Sequence, residues 1–405
     1  MTMLIANHLL TYCSNIHPGE TWRDTFNSLK VHIPNVKKAV SPTQSFGIGL
    51  RLSNRASIEL DQGNNLTEFK TWLQSENCYV FTMNGFPYGD FHETVVKDQV
   101  HSPDWSTAER LDYTLRLFRI LAEIIPSGME GGISTSPISY RFWQKTAEER
   151  NRVLERAAVN LAEVAANLHF LENQTGNFLH LDIEPEPDGI LENSDETIAF
   201  FQDYLLPIGT KYLTEKHHIP SGDATQIILR HIQVCYDVCH FAIVYEKPTA
   251  TFAKFEKAGI NIGKIQISAA LKVDVPAAQQ ERDKLKEKLS QLSESTYLHQ
   301  VVGKTASGNT ESYPDLPEAV RLLPNSKAEE FRIHFHVPLF LKHYGYFSST
   351  QDAIVEVLDA IAHKPVCKHL EVETYTWGVL EPALRIDLSQ SIIRELEWVI
   401  QHMKA

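Results

Sequence analysis

Ile232-Gln233-Val234-Cys235-Tyr236-Asp237-Val238-Cys239-His240 reads as a short strand that ends on a carboxylate, with a histidine three residues on. Side chains alternate across a strand, so Gln233, Cys235 and Asp237 share one face and Ile232, Val234 and Tyr236 the other. Asp237 stands where the chain leaves the sheet. His240 follows one turn later, over the same edge. Carboxylate and imidazole both ligate divalent metals, and both serve in proton transfer. Alone, the D-x-x-H pattern is common, and a capped strand end beside a surface histidine explains it equally. Its meaning depends on whether other strands end the same way.

Working outward, short apolar runs alternate with longer amphipathic ones along the whole chain. Strand-like runs lie at residues 9–13, 47–52, 79–84, 132–136, 178–184, 232–237, 264–268 and 368–374. Helical spacing fills residues 21–37 (which Pro34 should break or end), 67–75, 107–125, 143–172, 196–216, 251–258, 276–295, 351–362 and 388–403. Eight strand–helix units predict a (β/α)8 TIM barrel formed by a single domain over residues 1–405. A doubly wound open sheet would need a phosphate-binding glycine turn after its first strand, and Ser14-Asn15-Ile16-His17-Pro18-Gly19 is not one. One extra strand-like piece, 331–340, falls between strands seven and eight. Residues 275–345 therefore read as an extended insertion in that connection.

Composition narrows the class. The 405 residues hold 38 basic and 51 acidic side chains, a net charge of −13 with histidine neutral. That balance repels a phosphate backbone and argues against a nucleic-acid partner. The five cysteines are odd in number and lack disulfide or zinc-knuckle spacing, which suggests a reducing compartment. With no signal-like start and no run of 18 apolar residues, the expectation is a cytoplasmic protein without membrane insertion.

Residues at the carboxyl ends of barrel strands face the active-site mouth. His180, Asp182 and Glu184 alternate along the fifth strand, and Asp237 then His240 close the sixth. Lys264, Gln266 and Ser268 share a face of the seventh, and Glu371 and Glu373 a face of the eighth. Glu184, Asp237, Gln266 and Glu373 are thus expected at similar depth. Three carboxylates in one mouth repel, and a divalent cation would relieve them; carboxylate and amide oxygens suit Mn or Mg better than Zn. A buried ion-pair network with Lys264, Arg51 or Lys368 is the other reading. His334 and His336 should share one face of their strand, either solvated or at the mouth. The loop 84–92 reads as a cap or a substrate-covering loop, and Glu186 as solvated.

These strand ends resemble those of the xylose isomerase-like barrels, the superfamily of sugar phosphate isomerases/epimerases that also holds the family 2 AP endonucleases. Asp237-Val238-Cys239-His240 is similar to its D-T-x-H, Glu184 falls at its first metal glutamate, and Glu373-Thr374 resembles its last glutamate. Gln266 stands where most members have histidine, though some dehydratases use glutamine. Most of the chain resembles the EboE family of metabolite traffic proteins. The strings concerned are Thr11-Tyr12-Cys13-Ser14-Asn15-Ile16-His17-Pro18-Gly19-Glu20, Thr82-Met83-Asn84-Gly85-Phe86-Pro87-Tyr88-Gly89 and His334-Phe335-His336-Val337-Pro338. That resemblance implies a small-molecule metabolite as ligand and a prenyltransferase-like membrane protein as pathway partner.

The expected activity is that of a metal-dependent isomerase or epimerase on a polyhydroxylated or carbonyl metabolite. Glu184, Asp237, Gln266 and Glu373 would hold the metal. Glu184 and Glu373 would move the proton, His240 would orient the substrate, and Asn84, His334 and His336 would line the pocket. A dehydratase-type lyase and a non-catalytic metabolite carrier are the alternatives. A DNA repair nuclease is disfavoured by the charge and by the absence of histidine at the ends of the third and fourth strands.

Overall fold

A computed structural model describes residues 4–89, 97–292, 298–376 and 386–404. Its strands, in chain order, are β1 (Leu4–Ile5), β2 (His8–Tyr12), β3 (Phe46–Arg51), β4 (Cys78–Asn84), β5 (Gly131–Thr135), β6 (Leu179–Ile183), β7 (Ile232–Asp237) and β8 (Ile262–Ile267). There follow β9 (Leu271–Asp274), β10 (Val301–Thr305), β11 (Thr310–Tyr313), β12 (Ala328–Ile333), β13 (His343–Tyr344), β14 (Phe347–Ser349) and β15 (His369–Val372). One sheet runs β1-β2-β15-β8-β7-β6-β5-β4-β3, and all its pairings from β2 onward are parallel. From β2 to β8 each strand lies beside its successor with helices in the connections, and β15 lies between β8 and β2.

The sheet curls until its ends meet. Cys13 bridges Gly49 in parallel. Beside that bridge the Thr11 hydroxyl donates to the Gly47 carbonyl at 2.8 Å and accepts the Gly49 N–H at 3.1 Å. A side-chain hydroxyl thus stands in for ladder rungs at the junction of β2 and β3. Gly49 must be glycine here, since a Cβ would lie 2.6 Å from the Tyr12 carbonyl and against the Glu371 carboxylate.

Local sequence explains the helices that place the mouth. Thr146 and Glu149 form a capping box at the start of Ala147–Thr175, and Gly176 ends that helix at φ 74°. Helix Trp22–Val40, capped by Thr21, runs through Pro34 rather than stopping there. Proline removes one backbone donor, and the buried stripe Trp22, Leu29, Ile33 and Val36 holds the helix across that gap. The reading of 196–216 as one helix is corrected as well. The segment is Ser194–Phe200, a π-turn over Phe201–Leu205, and Leu206–His217.

Between β8 and β15 the chain builds a second sheet, β11-β10-β12-β9-β14-β13, antiparallel throughout. The strand expected over 331–340 ends at Ile333. His334 and His336 lie beyond it, in extended chain tied to the barrel by a Val337 N–H to Ala269 carbonyl bond of 2.9 Å. Both histidines are buried, so they are not the solvated pair of an edge strand. Among the described residues no helix is long and apolar enough to cross a membrane.

Candidate metal centre at the barrel mouth

The barrel interior is polar in its middle. Lys264 and Glu371, both fully buried, form an ion pair there, and the Lys264 ammonium also lies 3.3 Å from the Ser134 hydroxyl. Lys368 pairs with Glu130 at 2.7 Å, and Arg51 with Glu20 at 3.0 Å. The three cations considered for an ion-pair network at the mouth therefore pair with other acids.

Above this layer sit the mouth carboxylates. Asp237 caps the short helix Val238–Ile243: its Oδ1 accepts the His240 N–H at 3.0 Å and the Ser268 hydroxyl at 2.8 Å. The D-x-x-H spacing is that of a cap, and it fixes His240 relative to Asp237. Among the described residues the buried Asp237 Oδ2 atom has no hydrogen-bond partner, and the same holds for Glu184 Oε2. Glu373 is held by amides. Its Oε1 accepts from Asn15 at 2.5 Å and Asn84 at 3.1 Å, and its Oε2 from Gln266 at 2.8 Å. Gln266 accepts the Cys235 thiol through its own oxygen at 2.8 Å. Burial first, then the charge of the neighbouring acids, pushes Glu184 well above the usual carboxylate range and Glu373 up to about 8.

Three imidazoles face these acids. His240 Nε2 lies 3.0 Å from His334 Nε2 and 3.4 Å from His336 Nε2, which are 3.3 Å from each other. His240 Nδ1 stands 3.7 Å from Glu184 and 3.8 Å from Asp237. Burial, then the neighbouring imidazoles, holds His334 well below its ordinary value. Burial likewise takes His336 down to about 4, so both rings are neutral at pH 7.

The described residues enclose a cavity of about 80 Å³ lined by Asn15, Asn84, Glu184, His240, His334, His336 and Glu373, among others. Of the loop 84–92, Asn84, Phe86 and Pro87 line it, while 90–92 lie outside the described residues. Sequence reasoning missed several neighbours. Asn15 stands two residues past the first predicted strand, a position that could have flagged it. Gln300 and His101 carried no signal. Glu186, expected to be solvated, is buried with Oε1 2.9 Å from His101 Nε2. Its Pro185–Pro187 setting reads as exposed loop, but the chain there folds inward over the cavity.

No family model matches the sequence, and no curated protein matches it either. Solved structures do. A xylose isomerase-like TIM barrel protein from Mycobacterium smegmatis, in complex with magnesium, is 12% identical, with TM-score 0.51 over 99% of this chain and 98% of that one. The chain shares that protein's TIM-barrel fold. The IOLI protein with a bound zinc atom is 10% identical, with TM-score 0.45 over 97% of each chain. The probable 3-DHS dehydratase AsbF involved in petrobactin synthesis, from Bacillus anthracis, is 11% identical, with TM-score 0.41 over 96% of this chain and 97% of that one.

Proposed function

We propose that the protein is a metal-dependent isomerase or epimerase acting on a small polyhydroxylated or carbonyl metabolite. The carrying observation is the pair of buried oxygens without a hydrogen-bond partner, Glu184 Oε2 and Asp237 Oδ2, in a mouth shared with Glu373. Such a set fits a hard divalent cation, Mn or Mg first. Glu184 and Asp237 would hold it with Glu373, whereas Gln266, expected as a ligand, turns its N–H to Glu373 and its oxygen to the Cys235 thiol. When bound, the cation supplies Lewis-acid polarisation of a carbonyl and adjacent hydroxyl.

The chain's own groups do the rest. A glutamate held near pKa 8 is a serviceable acid and base at neutral pH, so Glu373 moves a proton at the carbon beside the carbonyl. Glu184 serves the opposite face. The N–H groups of Asn15 and Asn84 hold Glu373 in place, and His240 orients a substrate oxygen. Membership of the EboE family would give the protein a metabolite-processing or export pathway with a membrane prenyltransferase-like partner. That placement rests on the three strings above. We read residues 275–345 as an insertion into the barrel's last connection.

Two measurements test this reading. Mass-spectrometric metal content is compared between wild type and Glu184→Gln, purified without chelator. Deuterium uptake from solvent beside the carbonyl is followed by NMR across a ketose and keto-acid panel. Near-stoichiometric metal that falls in the variant, with exchange in at least one substrate, is expected. A wild type that takes up no divalent metal on titration would overturn the proposal.

A further inference from the structure

At the opposite end of the barrel, we infer that Glu130, His180 and His369 form a structural metal centre of the zinc class. All three stand at strand starts: Glu130 just precedes β5, His180 is the second residue of β6, and His369 opens β15. One ligand atom from each lies within 4.8 Å of the other two. Both histidines are fully buried, whereas the Glu130 side chain is 18% exposed, so an ion reaches the site from the floor. The ring nitrogens make the case. His180 Nδ1 faces Asp182 Oδ1 at 2.7 Å. A carboxylate only accepts, so the neutral ring carries its proton on Nδ1 and presents a lone pair on Nε2. That Nε2 lies 3.6 Å from Glu130 Oε1, and among the described residues it has no hydrogen-bond partner. Neither nitrogen of His369 has one; the Glu130 backbone lies near that ring, outside hydrogen-bond geometry. Buried polar groups without partners are rare, and three ring nitrogens gather here.

The surroundings fit a cation. Zinc bonds of about 2.0–2.1 Å at tetrahedral angles separate ligand atoms by about 3.3–3.4 Å. The 3.6 Å between His180 Nε2 and Glu130 Oε1 is close to that. Asp182, behind His180, is the outer carboxylate that metal-bound histidines characteristically have. Two glycines leave room for this pair, since a Cβ at Gly132 or at Gly263 would run into both His180 and Asp182. Lys368 takes the other oxygen of Glu130, Oε2, at 2.7 Å and leaves Oε1 to the ion. The rings of Phe81 and Phe178, which offer no donor, pack on His369 and His180. In the metal-free chain a proton on His180 Nε2 stands in for the cation. Residues at the amino ends of barrel strands serve stability, so the ion is structural. In the sheet β8 and β7 separate β15 from β6, and the ion ties these two strands across the floor.

Zinc loading of the metal-free full chain tests this, with the zinc retained after dialysis measured by mass spectrometry. Wild type should retain one equivalent more than His369→Gln and than Glu130→Gln, and Glu184→Gln should keep that equivalent. Zinc retention at the wild-type level in either floor variant would overturn the inference, as would loss of all zinc in Glu184→Gln. If a floor variant fails to fold, wild-type crystals soaked in zinc decide. An anomalous-scattering peak between Glu130, His180 and His369 is expected there, and its absence would overturn the inference. Failure of the isomerase reading shows instead as absent deuterium uptake or no metal loss in Glu184→Gln, and leaves the floor equivalent unchanged.

Discussion

The middle and the mouth of the same barrel hold buried acids in opposite ways. In the middle, Glu371 meets Lys264, and both are fully buried. At the mouth, burial and then the charge of neighbouring acids raise Glu184 and Glu373, and the imidazoles beside them lie nitrogen to nitrogen. A buried charge is tolerable when its counter-charge is built into the chain, as in the middle. Where the counter-charge is left out, the fold keeps a repulsion that an incoming cation would remove. The middle layer is therefore structural, and under the proposed function the mouth is where stability is exchanged for activity.

The sharpest way to break this comparison is Lys264→Met. It leaves Glu371 buried without its cation and should cost about 3–5 kcal/mol in urea unfolding. Lys264→Met combined with Glu371→Leu should recover most of that loss. A neutral single variant would mean the middle pair is not what holds the layer together. Next, adding Mn or Mg to metal-free protein should raise stability by about 2.7 kcal/mol at a hundredfold excess over Kd. Thermal unfolding with and without chelator measures it, and the gain should vanish in Asp237→Asn, which keeps the helix cap. Third, Glu184→Gln should stabilise the metal-free protein by about 1–2 kcal/mol, because it removes one of the mutually repelling acids. Destabilisation there comparable to Lys264→Met would erase the distinction between the layers.

The smallest effect concerns the floor. Burial opposes charge on His180, but Asp182 at 2.7 Å and Glu130 outweigh it and hold His180 at about 9. A histidine pKa raised on folding gives stability that is complete below about pH 6.5 and is lost as pH rises through about 9. Unfolding free energy of the metal-free protein should therefore fall by on the order of 1 kcal/mol across that window. His180→Gln should flatten the slope. An unchanged slope would place the titration elsewhere.

Much of the barrel was legible because its strands are buried on both faces and read as short apolar runs between helical periods. Asp237 and His240 were legible because a capping carboxylate and the residue three positions on are a local pattern. The second sheet was not legible. Val301–Thr305 and Thr310–Tyr313 are short, half-exposed strands without a strong apolar period. The histidine cluster was only half visible. His334 and His336 are neighbours in sequence, but their meeting with His240, 94 positions away, depends on where Ile333 ends its strand. Glu186 was misread because two flanking prolines mark a loop without saying which way it faces. Gln266 was seen as an oxygen ligand, whereas its N–H on Glu373 is a property of packing.

The hydroxyl that closes β2 onto β3 carries a mechanical consequence. A ring opens at its least-bonded junction, and here that junction has one backbone bridge and the side chains of Thr11 and Ser14, the latter accepting the Arg51 N–H at 2.8 Å. The bond from Asn84, at the end of β4, to Glu373, just past β15, straddles the same gap, because β2 and β3 lie between those strands. A ligand that draws Glu373 away from Asn84 also undoes a clasp across the seam. Occupancy of the mouth would then be felt as a change in the stiffness of the hoop, and amide exchange at Gly47 and Gly49 is where that change would be recorded.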